Sequence, residues 1–208
     1  MSGGPCPALR RAQEVLRAYE PDLPAQRSLR RQYLAHLSQH PDGLWRGGPT
    51  HLTVSCFVLS PDGGQVLLTL HRKGGFWVQP GGHVETTDAG LAQAALREMR
   101  EETGVHTELA DSHLGPFDLH RHQLSAAFGA CREHLDVAYL ALAAPQTAVR
   151  VSEESDDVAW WPVDHLPANT VPDLAPRLER ARAVVRGPSV HCSTRTPLVS
   201  GLIPGRSG

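Results

Sequence analysis

No run of about 18 apolar residues occurs in this 208-residue chain, which argues against a transmembrane helix. The N-terminal MSGGPCPALRRAQ lacks the apolar h-region of a secretory signal. The four cysteines, Cys6, Cys56, Cys131 and Cys192, are far apart and make neither a CxxC pair nor a disulfide framework. Together these absences favour a reducing cytoplasm. Charge of either sign is not in excess: the formal net charge is -2, which suits neither an electrostatic nucleic-acid binder nor a membrane-surface protein. Lysine and isoleucine are nearly missing, with Lys73 and Ile203 the single examples among abundant Arg, Ala, Gly and Pro. That bias follows the codons of a GC-rich genome and points to a bacterial source without saying anything about function. Hydrophobic residues make up 40% of the chain, enough for a real core, and the length fits one domain with extensions.

Two helices are expected over residues 7–40. Leu9, Ala12, Val15, Leu16 and Tyr19 recur at helical spacing, Pro21 and Pro24 interrupt, and Leu29, Tyr33, Leu34 and Leu37 resume the pattern. These helices serve to cover a sheet or to meet a partner. The run HLTVSCFVLS, the turn Pro61-Asp62-Gly63-Gly64 and QVLLTLH read as a hairpin over 51–71. A short FWVQP segment, a Gly81-Gly82 loop and a helix from about Asp88 to Thr103 follow, with Gly104 placed as an αL C-cap. Further strands are expected near 114–122, 134–142 and 157–161, a short helical turn at 163–166, a helix at 173–185 and a poorly ordered tail after Gly187. The order is mixed α/β (α+β) without the regular alternation of a doubly wound sheet.

The chemistry is concentrated between Gly82 and Val105. At about 100° per residue, Glu98, Glu101 and Glu102 fall within one arc of roughly 100°. Ala92, Leu96, Met99 and Thr103 take the opposite side, and Leu91, Ala94 and Ala95 precede the glutamates on their own face. Such an acidic front is unfavourable by itself. Like charges one turn apart cost about 0.2–0.5 kcal/mol per pair. Carboxylates near a helix C-terminus oppose the macrodipole by about 0.3–1 kcal/mol each. Arg97 offsets part of this, and a divalent cation would offset more. Hard oxygen donors select Mg²⁺ or Mn²⁺ over Zn²⁺.

Arg97-Glu98-Met99-Arg100-Glu101-Glu102-Thr103-Gly104-Val105, with Gly82 upstream, resembles the signature of the Nudix hydrolase (MutT-like) family, G-x5-E-x7-R-E-U-x-E-E-x-G-U with U aliphatic. Two departures stand out. Asp88 occupies the first glutamate position, and eight residues rather than seven separate it from Arg97. The extra residue leaves the Glu98–Glu102 spacing intact but weakens the role of Asp88, which is instead a candidate N-cap. The resemblance extends over about residues 50–168, with Trp77-Val-Gln-Pro-Gly-Gly before the box and Asp157-Val-Ala-Trp160 and Leu166 after it. It implies a Nudix-type α/β/α sandwich with a mixed sheet over residues 50–170. Around it lie an N-terminal helical extension (1–49), a C-terminal helix (171–186) and the tail (187–208).

By that resemblance Glu101, Glu102, Glu98 and the Gly82 carbonyl are the expected metal ligands, with Mg²⁺ or Mn²⁺ as cofactor. Glu98 is either a ligand or the base that orients water, and Arg97 fixes a glutamate by a charge-assisted bond. Glu153 and Glu154 are candidates for a further ligand or base on a late loop, and Glu85 for a contact through water. Arg72 and Lys73 at a strand end, Trp77 and His134 are weaker candidates for substrate contact. His120, His122, Cys131, His134 and Asp136 fit no closed structural zinc site; pocket lining, a second metal and plain sheet packing remain open for them.

The implied activity is divalent-metal-dependent hydrolysis of a diphosphate bond in a nucleoside diphosphate linked to X. The partner is then a small nucleotide-like diphosphate, with no nucleic acid and no membrane, and family members often form homodimers. The alternative is a Nudix-fold sensing module that binds without cutting; such proteins usually lose box glutamates that are retained here. A third activity, isoprenoid diphosphate isomerisation, needs a catalytic cysteine, whereas Cys56 lies in an expected strand.

Overall fold

A computed structural model describes residues 6–110, 115–124 and 130–187. The expected tail therefore lies, from residue 188 on, outside the described residues, as does the start of the strand expected at 114. Within them the elements run α1 (Pro7–Ala18), α2 (Pro24–Gln39), a 3-10 turn (Pro41–Leu44), β1 (Thr50–Leu59), β2 (Gln65–His71), β3 (Phe76–Val78), β4 (Gly81–His83), α3 (Leu91–Thr103), β5 (Asp118–Gln123), β6 (Glu133–Leu142), β7 (Ser155–Pro162) and α4 (Leu174–Arg186). The segment after β7, expected as a helical turn at 163–166, is a plain turn.

The strands form one mixed sheet ordered β3-β2-β1-β6-β5, with β4 added to β1 and β7 to β2. The β1–β6 pair is parallel and continuous from Thr50↔Glu133 to Leu59↔Leu142. The expected hairpin forms only at its turn, where Val58 faces Leu67 and Leu59 faces Val66. Beyond that the strands part: β4 pairs with β1 at Thr53–Ser55 and β3 with β2 at Thr69–His71, while β7 runs along the other edge of β2.

Alternation along β1 and β6 sorts side chains between two layers. Leu52, Val54, Cys56 and Val58 pack with Leu135, Val137 and Tyr139 against α1, α2 and α3. Phe57, Leu59, Ala138 and Leu140 pack with Leu174, Leu178 and Ala181 of α4. The result is the expected α/β/α sandwich. The N-terminal helices cover the sheet: Leu9, Leu16, Tyr33 and Leu37 are fully or almost fully buried. Gln26 also bonds Asp118 Oδ1 at 2.8 Å and both the carbonyl and N–H of Leu119.

The α4-side layer holds a buried charge network. Arg177, 1% exposed, donates to Asp118 at 2.8 Å and Asp136 at 2.5 Å. Ser55 donates to Asp136 at 2.7 Å and Arg180 to Asp118 at 2.7 Å. Burial disfavours the Asp136 carboxylate, but Arg177 and Ser55 outweigh it and hold the group below its ordinary pKa. The network locks α4 to β1, β5 and β6. Asp136 and Ser55 also form part of the floor of the cleft that contains the box glutamates.

Candidate active site

The Gly81-Gly82 strand and α3 build the site together. A Cβ on Gly82 would stand 2.6 Å from the Glu98 carboxyl, and one on Gly81 would stand 2.4 Å from the Val54 carbonyl oxygen. Only glycines let β4 lie flat on β1 while α3 presses its carboxylates onto it. Gly104, at φ 71°, ends α3 in the left-handed conformation expected of it, its N–H bonded to the Arg100 carbonyl. The buried stripe of α3 is Leu91, Ala94, Ala95, Met99, Glu102 and Thr103. Glu102 thus belongs to the packed side rather than to an open acidic front, whereas the side chain of Glu101 is 58% exposed.

Arg97 is the hub. It grips Asp88 with two bonds of 3.0 Å, Glu98 at 3.0 Å, Glu101 at 2.9 Å and the His83 carbonyl at 2.9 Å. Asp88 also accepts the Glu85 N–H at 2.8 Å. The N-cap expected of Asp88 is therefore corrected: α3 starts at Leu91 after Gly90, and no side chain caps it. The extra residue is absorbed ahead of the helix, and the shorter Asp still reaches Arg97. Burial opposes ionisation of Asp88, but Arg97 wins and keeps its carboxyl below the ordinary range. The Asp88 hydrogen bonds in turn raise the Arg97 pKa.

Four carboxylates converge. Glu98, Glu101, Glu102 and Glu154 all line one cleft of about 940 Å³. Burial pushes Glu98 up to about 7, with Arg97 opposing and Glu101 and Glu154 adding repulsion. Burial likewise pushes Glu102 up to about 8, against the Gly81 N–H that it accepts at 3.2 Å, with Glu98, Glu154 and Glu101 adding to the rise. Carboxylates that repel one another in a partly dry site, with hard oxygen donors and a glycine strand alongside, fit a cation of the Mg²⁺ class. Of the late-loop pair, only Glu154 lines the cleft; Glu153 does not. Glu85 lines it too, 3.8 Å from Arg97.

Arg72, Lys73 and His134 also line the cleft, and Arg72 is held by Asp156 at 2.8 Å. Trp77 does not: it is 7% exposed and packs edge-on against Trp161, ring centroids 5.3 Å apart. Its neighbour Phe76 lines the cleft instead, since successive side chains of β3 point to opposite faces, and Trp45 is a second aromatic there. Sequence reasoning also passes over Arg46, His83 and the polar floor of Thr53 and Ser55. The one signal for that floor is Thr53 and Ser55 alternating with apolar Leu52, Val54 and Cys56. Cys56 is fully buried, 3.8 Å from the Met99 sulfur, and burial pushes its thiol up to about 12, which removes it from any catalytic role. A smaller hollow of about 440 Å³, lined by Gln93, Leu96, Arg100 and His106 to Glu108, contains none of the box carboxylates.

Among the described residues no helix is long and apolar enough to cross a membrane. No curated protein sequence is significantly similar to the chain. Among solved structures, a NUDIX-family hydrolase from Clostridium perfringens aligns with TM-score 0.52 and 23% identity, over 65% of this chain and 96% of that one. An Ap4A hydrolase from C. elegans gives TM-score 0.53 and 17% identity, over 65% and 97%. The NUDIX domain of Shewanella oneidensis NrtR, complexed with ADP ribose, gives TM-score 0.50 and 25% identity, over 71% and 95%. Residues 49–181 match the family model of the NUDIX domain. That match spans more than half of the sequence and contains every residue of the box, and the chain belongs to the NUDIX family.

Proposed function

We propose that the chain is a Nudix pyrophosphohydrolase that cleaves a diphosphate bond in a nucleoside diphosphate linked to X. Glu101, Glu102 and the Gly82 carbonyl would hold Mg²⁺ or Mn²⁺, with Glu98 either a further ligand or the base that orients water. The reading rests on one observation: Glu98, Glu101, Glu102 and Glu154 share a cleft with Arg46, Arg72 and Lys73. Acid groups for cations and basic groups for phosphate, side by side, suit a phosphate-bearing substrate. A divalent ion bound there supplies positive charge beside phosphate oxygens and makes nearby water more acidic. Arg97 fixes Glu98 and Glu101, so neither must reorganise as charge develops.

As the base, an ionised Glu98, whose pKa burial raises to about 7, takes a proton from the attacking water. The water oxygen bonds to phosphorus as the bridging oxygen leaves with the second phosphate-bearing product. Arg72 and Lys73 meet the phosphates or the base, and Phe76 offers a face for stacking.

A nucleotide panel that includes ADP ribose, incubated with Mg²⁺ or Mn²⁺, tests this by release of a monophosphate. Glu101→Gln, at an exposed position, lowers kcat by about 10²-fold or more, about 2.7 kcal/mol, with the circular dichroism unchanged. Equal turnover by the variant rejects the assignment. Tight ligand binding without turnover by the wild type supports the sensing module instead. The retained glutamates weigh for catalysis.

A further inference from the structure

Beside the carboxylates the sheet carries a row of imidazoles. His122 faces His134 across β5–β6, and His134 faces His51 across β6–β1. His83 on β4 joins them, its ring 5.0 Å from His51 and 5.4 Å from His134. Cys131 lies just before β6, where the N–H groups of Arg132 and Glu133 both donate to the Pro49 carbonyl, at 2.8 and 3.0 Å. That pair of hydrogen bonds draws the start of β6 onto the start of β1. One donor atom each from His51, Cys131 and His134 then falls within 4.8 Å of the others.

The donors are prepared for a ligand. His51 is fully buried, and its Nδ1 lies 3.1 Å from the Gly48 carbonyl. An Nδ1–H donated there leaves Nε2 with a free lone pair, and Nε2 is buried without a hydrogen-bond partner. This is the usual arrangement of a metal-bound histidine, oriented through its other nitrogen by a backbone carbonyl. The Nε2 atoms of His134 and His83 are likewise buried and unpartnered. Buried polar atoms without partners are costly in a native protein and ask for an explanation.

We propose that His51, His134 and Cys131 form a second cation site, distinct from the carboxylates and specific for a soft or borderline ion of the Zn²⁺ class. Two imidazoles and a thiolate are the donor set such an ion prefers and Mg²⁺ does not. Donors on a tetrahedral zinc stand roughly 3.3–3.6 Å apart for Zn–N of about 2.0 Å and Zn–S of about 2.3 Å. Side-chain rotations that move the donors by about 1 Å therefore close the site. Binding releases the thiol proton of Cys131 to solvent. His83 stands beside both rings as the candidate fourth ligand. The site pins β1 to β6 at the cleft wall, and through His83, whose carbonyl Arg97 holds, it adjoins the carboxylate cluster.

The test uses tag-free full chain, stripped by chelator and reloaded with Zn²⁺ or Co²⁺ alone. The wild type retains zinc after dialysis and melts at higher temperature with it. The Co²⁺ form shows a thiolate-to-cobalt charge-transfer band. Cys131→Ser abolishes that band without loss of fold, and His134→Gln weakens zinc binding by about 10²-fold. Glu101→Gln leaves both signals intact, which separates this site from the carboxylates. Failure of the wild type to retain zinc, survival of the band in Cys131→Ser, or loss of both signals in Glu101→Gln each overturns the proposal.

Discussion

Replacing Glu102 by Gln removes a charge that the metal-free fold holds at a disadvantage. The carboxyl moves from an ordinary 4.5 up to about 8 in the folded chain, chiefly through burial. A raised folded-state pKa means that the neutral acid favours folding. Its stabilisation is complete below pH 4.5 and is lost as pH rises through 8. At about 1.4 kcal/mol per pH interval of one, the loss near pH 8 is on the order of 4 kcal/mol. Glutamine is never charged, and its amide oxygen still accepts the Gly81 N–H. Glu102→Gln in chelator should therefore melt roughly 10 °C above the wild type at pH 8, at about 2–4 °C per kcal/mol for a chain of this size. At pH 4.5 the two melts should coincide. Mn²⁺ narrows the gap at pH 8, because it binds the folded wild type more tightly. Thermal melts by circular dichroism at both pH values, with and without Mn²⁺, measure all of this. A variant less stable than wild type at pH 8, or a gap independent of pH, refutes the reasoning.

The adjacent glycines should separate function from fold. Gly82→Ala displaces only the far end of the Glu98 side chain, so turnover falls at least tenfold while the melting temperature holds. Gly81→Ala meets backbone and destabilises by about 1–3 kcal/mol in urea titrations. Arg177→Met leaves Asp118 and Asp136 buried without their shared guanidinium; urea unfolding should show a loss of about 3–5 kcal/mol. Acid acts through the histidines in the opposite sense to the glutamates. His83 and His134 refuse protons that the unfolded chain accepts below about 6.5, so their contribution is present above that pH and lost toward 4 and 3. In chelator, His134→Gln should show a flatter fall of the urea midpoint between pH 6.5 and 4 than the wild type.

Much of the fold and of the carboxylate cluster is legible in the sequence. Spacing alone places Glu98, Glu101 and Glu102 at one helix end, and Gly104 marks where that helix stops. Alternation in β1 and the Pro-Asp-Gly-Gly turn locate the central strands. What spacing does not give is the depth of each side chain. Glu102 reads as the equal of Glu101, yet close packing on Gly81-Gly82 buries one and leaves the other open. Trp77 and Phe76 are adjacent in sequence, and only the register of β3 on β2 decides which faces the cleft. Asp88 reads as a cap because caps are local, whereas its partner Arg97 lies more than two helical turns away. His51 has no sequence neighbour that suggests a ligand; the parallel pairing of β1 with β6 brings it to His134.

Calorimetric titration of Mn²⁺ into the chelator-stripped wild type and Glu101→Gln, with circular dichroism confirming equal folds, tests the central claim most directly. Saturable Mn²⁺ binding by the wild type, weakened at least tenfold in the variant, is the result the clustered carboxylates require. No Mn²⁺ binding by the wild type, or equal affinity in the two proteins, contradicts it.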